Sequence, residues 1–330
     1  MNVLVTGATG FLGSSLARAL ADAGHRVRAL VRTPAKAVVL EGCNCELVAG
    51  DLLDAASLAR AVAGQEVVYN CAGMVVEWGR REDFVRVNVD GTRSLLDAAL
   101  AADVQRFVHA SSVTVMGPPR DATPLTEAAV YTDRFFEYYT ETKIASEKLV
   151  REYQRARGLA ATIVRPGLIW GPGDTTILPR IEELAAKGLL WNIGGGRNVL
   201  CLAYIDHVVQ AMMLAAESSQ SVGQIYNIYD AEKRTSGDFF AALAGIMGLK
   251  PPQLSLPFSM LYGTAWLLEL LYKLARSAQP PFITRYAICL LGCNYNYDIA
   301  KPKKELGYEP CVSFQAGMDR VAQWYDEREM

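Results

Sequence analysis

Short apolar runs alternate with longer amphipathic stretches through the first two-thirds of the chain. The runs at 2–6, 26–31, 46–49, 66–71, 105–110, 161–165 and 225–228 are too short for helices. They carry little polar alternation, as expected of strands buried on both faces. Between them, apolar residues recur at helical spacing over 12–23, 55–63, 82–102, 138–157, 176–187 and 205–217. Alternation of this kind predicts an α/β fold: a doubly wound parallel sheet with crossover helices on both faces. After about residue 230 the strands stop. Helical segments at 236–247 and 258–277 follow, set between loops containing Pro251, Pro252, Pro257, Pro280 and Pro281. The expected organisation is a nucleotide-binding type of domain over 1–230, with some lobe insertions after 165. A smaller, mainly helical substrate lobe over 231–330 is expected to lie across the carboxyl edge of the sheet.

Residues 254–272 are almost wholly apolar, with Glu269 the only charge. A spanning helix needs about twenty such residues, and Pro257, Gly263 and Glu269 argue against one. A core helix, an apolar lid over a greasy substrate and an in-plane membrane contact through 254–276 would all look alike at this level. Composition narrows the rest. The 330 residues are 51% hydrophobic with a net charge of −2, enough for a large core and no basic tract for nucleic acid. No charged and apolar leader precedes the first strand, so a cytoplasmic location is expected, with membrane association as a variant. Seven cysteines, at 43, 45, 71, 201, 289, 293 and 311, lack zinc-type spacing and read as reduced thiols. His25, His109 and His207 are dispersed and read as caps or core contacts, with no metal expected.

The first strand runs straight into Thr6-Gly7-Ala8-Thr9-Gly10-Phe11-Leu12-Gly13, and a helix follows. Strand, glycine turn and helix N-terminus together cradle a phosphate with backbone N–H groups. Ser111-Ser112 directly follows the strand ending at Ala110. Tyr139 and Lys143 stand at i and i+4, on one face of a helix. A phenol titrates near pH 10, too high for exchange at neutrality, and an ammonium nearby would lower it. Ser112 would orient a substrate oxygen toward Tyr139, a general acid/base arrangement beside a cofactor. Asn88 lies in the preceding helical stretch.

In combination these residues resemble an extended short-chain dehydrogenase/reductase, with its T-G-x-x-G-x-x-G turn and Y-x-x-x-K pair. The resemblance implies a Rossmann-type fold with Ser112, Tyr139, Lys143 and Asn88 at the catalytic centre. It also implies nicotinamide-cofactor binding by Gly7, Thr9, Gly10, Phe11, Leu12, Gly13, Arg32, Asp51, Leu52, Cys71, Ala72, Gly73, Tyr139, Lys143, Pro166 and Gly167. A homodimer through helices 82–102 and 138–157 is implied as well. Ile283-Thr284-Arg285-Tyr286, Tyr297-Asp298-Ile299-Ala300-Lys301 and Glu305-Leu306-Gly307-Tyr308-Glu309-Pro310 resemble the 3β-hydroxysteroid dehydrogenase branch. The segment from Val27 to Pro34 resembles dihydroflavonol-reductase-like members. Both point to alcohol–ketone interconversion on an apolar, steroid- or lipid-like substrate.

The end of the second strand holds Val31 and Arg32 where an NAD site would carry an acidic residue. Arg32 offers a guanidinium for a 2′-phosphate, or is a solvated strand-end charge. NADP(H) is therefore favoured, with NAD(H) as the alternative. Nucleotide-sugar epimerases and dehydratases of the family typically show Asn where this chain has Gly167. Such an enzyme with retained NAD is the second reading, and a non-catalytic dinucleotide sensor the third. Phe135, Phe136 and Tyr138 are candidate substrate contacts, whereas Trp78 and Trp170 read first as packing residues.

Overall fold

The computed structural model describes residues 1–118, 124–133 and 137–329. Seven strands form one sheet: β1 (Asn2–Thr6), β2 (Arg26–Val31), β3 (Cys45–Ala49), β4 (Val67–Asn70), β5 (Arg106–Ala110), β6 (Ala161–Pro166) and β7 (Ile225–Ile228). Their order is β7-β6-β5-β4-β1-β2-β3, and every pairing is parallel. Strand order reverses between β1 and β4, so a crevice opens at the carboxyl ends of those two strands. Alternation along β1 shows why the sheet is covered twice. Val3 and Val5 enter one core cluster with Leu16 and Leu20 of α1 (Phe11–Asp22), whereas Leu4 enters another with Leu58 and Leu95. Leu58 belongs to α2 (Ala55–Val62) and Leu95 to α3 (Gly91–Ala101). The long α4 (Tyr138–Arg157) shares that second face through Leu149 and Val150. The architecture is the doubly wound α/β fold that the alternating pattern predicts.

The helix expected over 82–102 is not uniform. A short helical piece (Arg81–Phe84) passes into a π turn (Val85–Asp90) before α3 begins. Wider turns of this kind recur at functional sites because they re-aim one side chain, and here that side chain is Asn88. Beyond β6, helices α5 (Ile177–Ala186) and α6 (Ile205–Glu217) complete the alternation. The later helices are α7 (Ser236–Ile246), α8 (Phe258–Leu274), α9 (Arg285–Gly292), α10 (Ala300–Leu306) and α11 (Phe314–Glu329). They are continuous with the sheet's core: Phe239, Phe240, Tyr308 and Val321 join the cluster that contains Val3 and Val5. Trp170 packs edge-on against Tyr204 and Phe239 and donates its indole N–H to Asp230 at 2.8 Å. That is the packing role read for it. His207 closes the same corner, its Nδ1 2.7 Å from Asp230 Oδ1.

Helix α8 turns only a narrow stripe inward. Leu261, Ala265 and Glu269 are buried, with Leu261 and Ala265 packed beside Ile193, Ile283 and Ile288. Glu269 accepts from the Arg285 backbone N–H at 2.7 Å and guanidinium Nε at 2.9 Å, which explains a charge on the inner side of an apolar helix. Among the described residues no helix is long and apolar enough to cross a membrane.

Candidate active site

Six strands deliver the residues singled out from the sequence to one edge of the sheet. The Gly7–Gly13 turn follows β1, Arg32 follows β2, and Asp51 and Leu52 follow β3. Cys71, Ala72 and Gly73 follow β4, Ser112 follows β5, and Pro166 ends β6 with Gly167 next. Because the sheet is parallel, these six positions all lie at its carboxyl edge, where open α/β sheets bind ligands.

The glycine turn is shaped by what it must approach. Gly7 has φ +65°, and a Cβ there would sit 2.7 Å from the Ala72 N–H nitrogen. A Cβ on Gly13 would overlap the Gly7 carbonyl oxygen. Side chains at either position would therefore fill the cradle or push α1 off β1. Gly10 caps α1 without a side-chain partner, leaving the first helical N–H groups directed at the crevice. Thr6 stiffens the floor: its hydroxyl donates to Asn70 Oδ1 at 2.9 Å and accepts from Ala72 N–H at 3.3 Å. A dinucleotide pyrophosphate fits this cradle by shape and by donor set. At the end of β2 the Arg32 side chain is 68% exposed, with Nε 4.0 Å from Asp51 Oδ2. Its guanidinium is therefore available to a ligand. Asp51 Oδ1 meanwhile accepts from Leu53 N–H at 2.9 Å, fixing the loop before α2.

Tyr139 and Lys143 project from the first turns of α4 into the same crevice, and both are buried. The Ser112 hydroxyl stands close enough to the phenol to act on it, opposing the effect of burial. Lys143 Nζ donates to the Ala110 carbonyl at 2.8 Å and lies 5.9 Å from the Tyr139 ring centroid. Ser112 accepts in turn from Thr114 N–H at 3.3 Å and Thr114 Oγ1 at 3.0 Å, so its rotamer is held. Asn88 ties the assembly together. Its Oδ1 accepts from Met74 N–H at 2.7 Å and its Nδ2 donates to Thr142 Oγ1 at 2.9 Å. Those two bonds join the loop after β4 to α4 between Tyr139 and Lys143. Asn88 thus acts on the site by positioning.

Electrostatics correct one expectation. The i, i+4 ammonium predicts a lowered phenol at Tyr139, but burial dominates and holds it above its ordinary range, with Ser112 opposing. Burial also pulls the Lys143 ammonium down to about 8. Both effects have one cause, since a crevice with little water penalises the charged form of each group. The phenol consequently keeps its proton near neutrality.

Two neighbours of Tyr139, Glu137 and Tyr286, and Glu77 beside them escaped the sequence reading. Glu137 caps α4, accepting from Thr140 N–H at 2.9 Å and Thr140 Oγ1 at 2.6 Å, and burial raises its carboxyl. Glu77 accepts a hydrogen bond from the Thr284 hydroxyl. Tyr286, at the start of α9, has its phenol pushed well up by burial, with Glu137, Tyr139 and Glu77 adding to the effect. Only Tyr286 left a signal, as part of the Ile283–Tyr286 motif; glutamate is an unusual cap and gives none. Of the aromatic candidates, Tyr138 packs on Phe84 with centroids 6.0 Å apart, and Phe135 and Phe136 lie outside the described residues. Trp78 donates its indole N–H to the Ser277 carbonyl at 3.0 Å, which ties the loop after β4 to the end of α8. His109 is buried between Asn70 and Ser146, and no cluster of metal-ligating side chains exists among the described residues.

Known proteins share this fold and much of this sequence. The model of the NAD dependent epimerase/dehydratase family matches residues 3–228. A 4-hydroxy-2-methyl-3-oxo-4-farnesyl-3,4-dihydroquinoline-1-oxide ketoreductase from Stigmatella aurantiaca is 32% identical, spanning 98% of this chain and 96% of its own. A 3-beta-hydroxysteroid dehydrogenase from Mycolicibacterium neoaurum is 30% identical, spanning 98% of this chain and 91% of its own. Among solved structures, that of gox2253 is 31% identical with a TM-score of 0.83, spanning 99% of this chain and 98% of the other.

Proposed function

Since this chain belongs to the NAD dependent epimerase/dehydratase family, we propose that it interconverts a secondary alcohol and a ketone on an apolar substrate, with NADP(H) preferred. The broader class is firm: it is a dehydrogenase/reductase-type enzyme acting on hydroxyl or keto groups. One observation carries the finer reading. A buried phenol beside a buried, held hydroxyl, with an ammonium one helical turn away, stands at the carboxyl edge near the glycine cradle. When bound, the nicotinamide cofactor supplies or accepts the hydride. Ser112 holds the substrate oxygen, and Tyr139 gives its proton to that oxygen in reduction or takes it in oxidation. Lys143 supplies the positive charge against which a phenolate forms. The relatives named for steroid and farnesyl-bearing compounds support an apolar substrate.

Gly167 weighs against a nucleotide-sugar substrate. A Cβ at this position would overlap the Cys201 carbonyl oxygen, so the asparagine of the sugar-nucleotide enzymes has no room on this backbone. Nucleotide sugars therefore serve as the opposing arm of the test. Purified protein is assayed for change in reduced-nicotinamide absorbance with NADP(H) and NAD(H), against steroid alcohols and ketones, alkyl β-keto compounds and UDP-sugars. Turnover confined to UDP-sugars would overturn the proposal.

Two further outcomes are expected. Arg32→Ala weakens NADP(H) binding about tenfold more than NAD(H) binding, because a guanidinium serves a phosphate and little else at that exposed site. Equal losses for both cofactors, read by fluorescence titration, would refute the phosphate role. Ketone reduction is flat in pH below about 7 and falls as pH passes about 8. The sign follows from both groups: raising pH removes the charge of Lys143 first and can only deplete the proton on Tyr139. A reduction rate that climbs through that window would exclude Lys143 as the charge that matters.

A further inference from the structure

We propose that the outer face of α8 docks this protein peripherally on an anionic lipid bilayer, with the helix lying in the plane of the headgroups. Met260, Trp266, Leu267, Leu270, Leu271 and Leu274 are each between 41% and 73% exposed. They occupy the side of the helix opposite Leu261, Ala265 and Glu269, so one stripe meets the core and the rest faces outward. Six large apolar side chains on a single helix exceed the scattered exposure usual on a soluble surface.

Charge decides what covers them. From Lys250 to Tyr297 the sequence contains one acidic residue, Glu269, and four basic ones, Lys250, Lys273, Arg276 and Arg285. Glu269 and Arg285 are paired with each other behind the helix. Lys273 and Arg276, at the C-terminal end of the helix, are exposed, as is Lys250 before it in the chain, in a protein whose net charge is −2. Exposed cations at one end of an apolar face complement anionic headgroups above acyl chains. A second copy of the chain is the poorer occupant. A two-fold contact through this face would gather the exposed cations of both copies at one interface. Trp266, among the exposed six, is the residue type that settles at the boundary of headgroup and acyl layers.

Flotation of the whole protein with vesicles tests this without any turnover. Phosphatidylcholine vesicles containing phosphatidylglycerol should carry the protein at low salt, and pure phosphatidylcholine should carry about tenfold less. The triple variant Trp266→Gln, Leu270→Gln, Leu274→Gln should lose binding to both. Lys273→Glu with Arg276→Glu should lose only the preference for the anionic vesicles. Protein that stays unbound with both vesicles, or a triple variant that floats like the parent, would overturn the proposal. So would a dimer in light scattering that the triple variant converts to monomer, since a second copy would then own the face.

Discussion

Tyr139→Phe lowers turnover about 10³-fold, the range general acid/base groups contribute, while NADP(H) affinity holds. The substitution removes one oxygen from a ring that keeps its place. Tyr139 is buried in the first turn of α4, its neighbour Tyr138 packs on Phe84, and the helix is anchored beyond it by Lys143 and Glu147. The glycine turn, Arg32 and Asp51 lie at the ends of other strands, β1, β2 and β3, whereas the phenol sits on α4. Proton transfer and cofactor binding are therefore separable in this fold. Ser112→Ala should act in the same direction and add little to Tyr139→Phe, because the two hydroxyls stand together and serve one oxygen. The measurement is steady-state turnover beside a cofactor titration. If both fall together, the tyrosine is a packing residue and the proton relay fails. If neither falls, the proton moves elsewhere, and Glu137, hydrogen-bonded to Thr140 one turn along the same helix end, becomes the group to examine.

The sheet was legible because it is parallel and its central strands are buried: Asn2–Thr6, Val67–Asn70, Ala161–Pro166 and Ile225–Ile228 are short and mostly apolar. The same reading put Ser112, Tyr139, Lys143 and the glycine turn in one place, since strand ends and an i, i+4 pair are local patterns. What stayed hidden depends on contacts distant in sequence. The π turn at Val85–Asp90 has helical composition, and nothing local says that Asn88 will reach Met74 and Thr142. The tail helices Arg285–Gly292, Ala300–Leu306 and Phe314–Glu329 are short or weakly patterned, and are held by packing on the sheet's core. The direction of the Tyr139 shift was misjudged for a related reason. Spacing on a helix gives the neighbour, Lys143, but burial on all sides is a property of the whole crevice and outweighs it.

Glu147→Ala destabilises the protein by about 3–5 kcal/mol, the cost of stranding one member of a buried ion pair. Glu147 stands one turn beyond Lys143 on α4 and is fully buried, and its carboxylate takes Arg165 Nε at 2.8 Å and Nη2 at 2.6 Å. The Tyr131 hydroxyl donates to the same carboxylate at 3.0 Å. Arg165 belongs to β6, immediately before Pro166 and Gly167, so this pair fixes the helix bearing Tyr139 and Lys143 against the strand that borders the crevice. Removing the carboxylate leaves a guanidinium in the core that cannot shed its charge. Removing both, as Glu147→Met with Arg165→Met, replaces the pair with apolar volume and should restore most of the stability. Turnover separates anchoring from mere stability. If the pair positions α4, the double variant regains its denaturant midpoint but not full activity, because a methionine pair packs without the two-point geometry that sets the helix angle. A double variant as unstable as Glu147→Ala would mean that the site demands charge rather than volume. A single variant within about 1 kcal/mol of the parent would mean that Arg165 finds another acceptor and the pair anchors nothing.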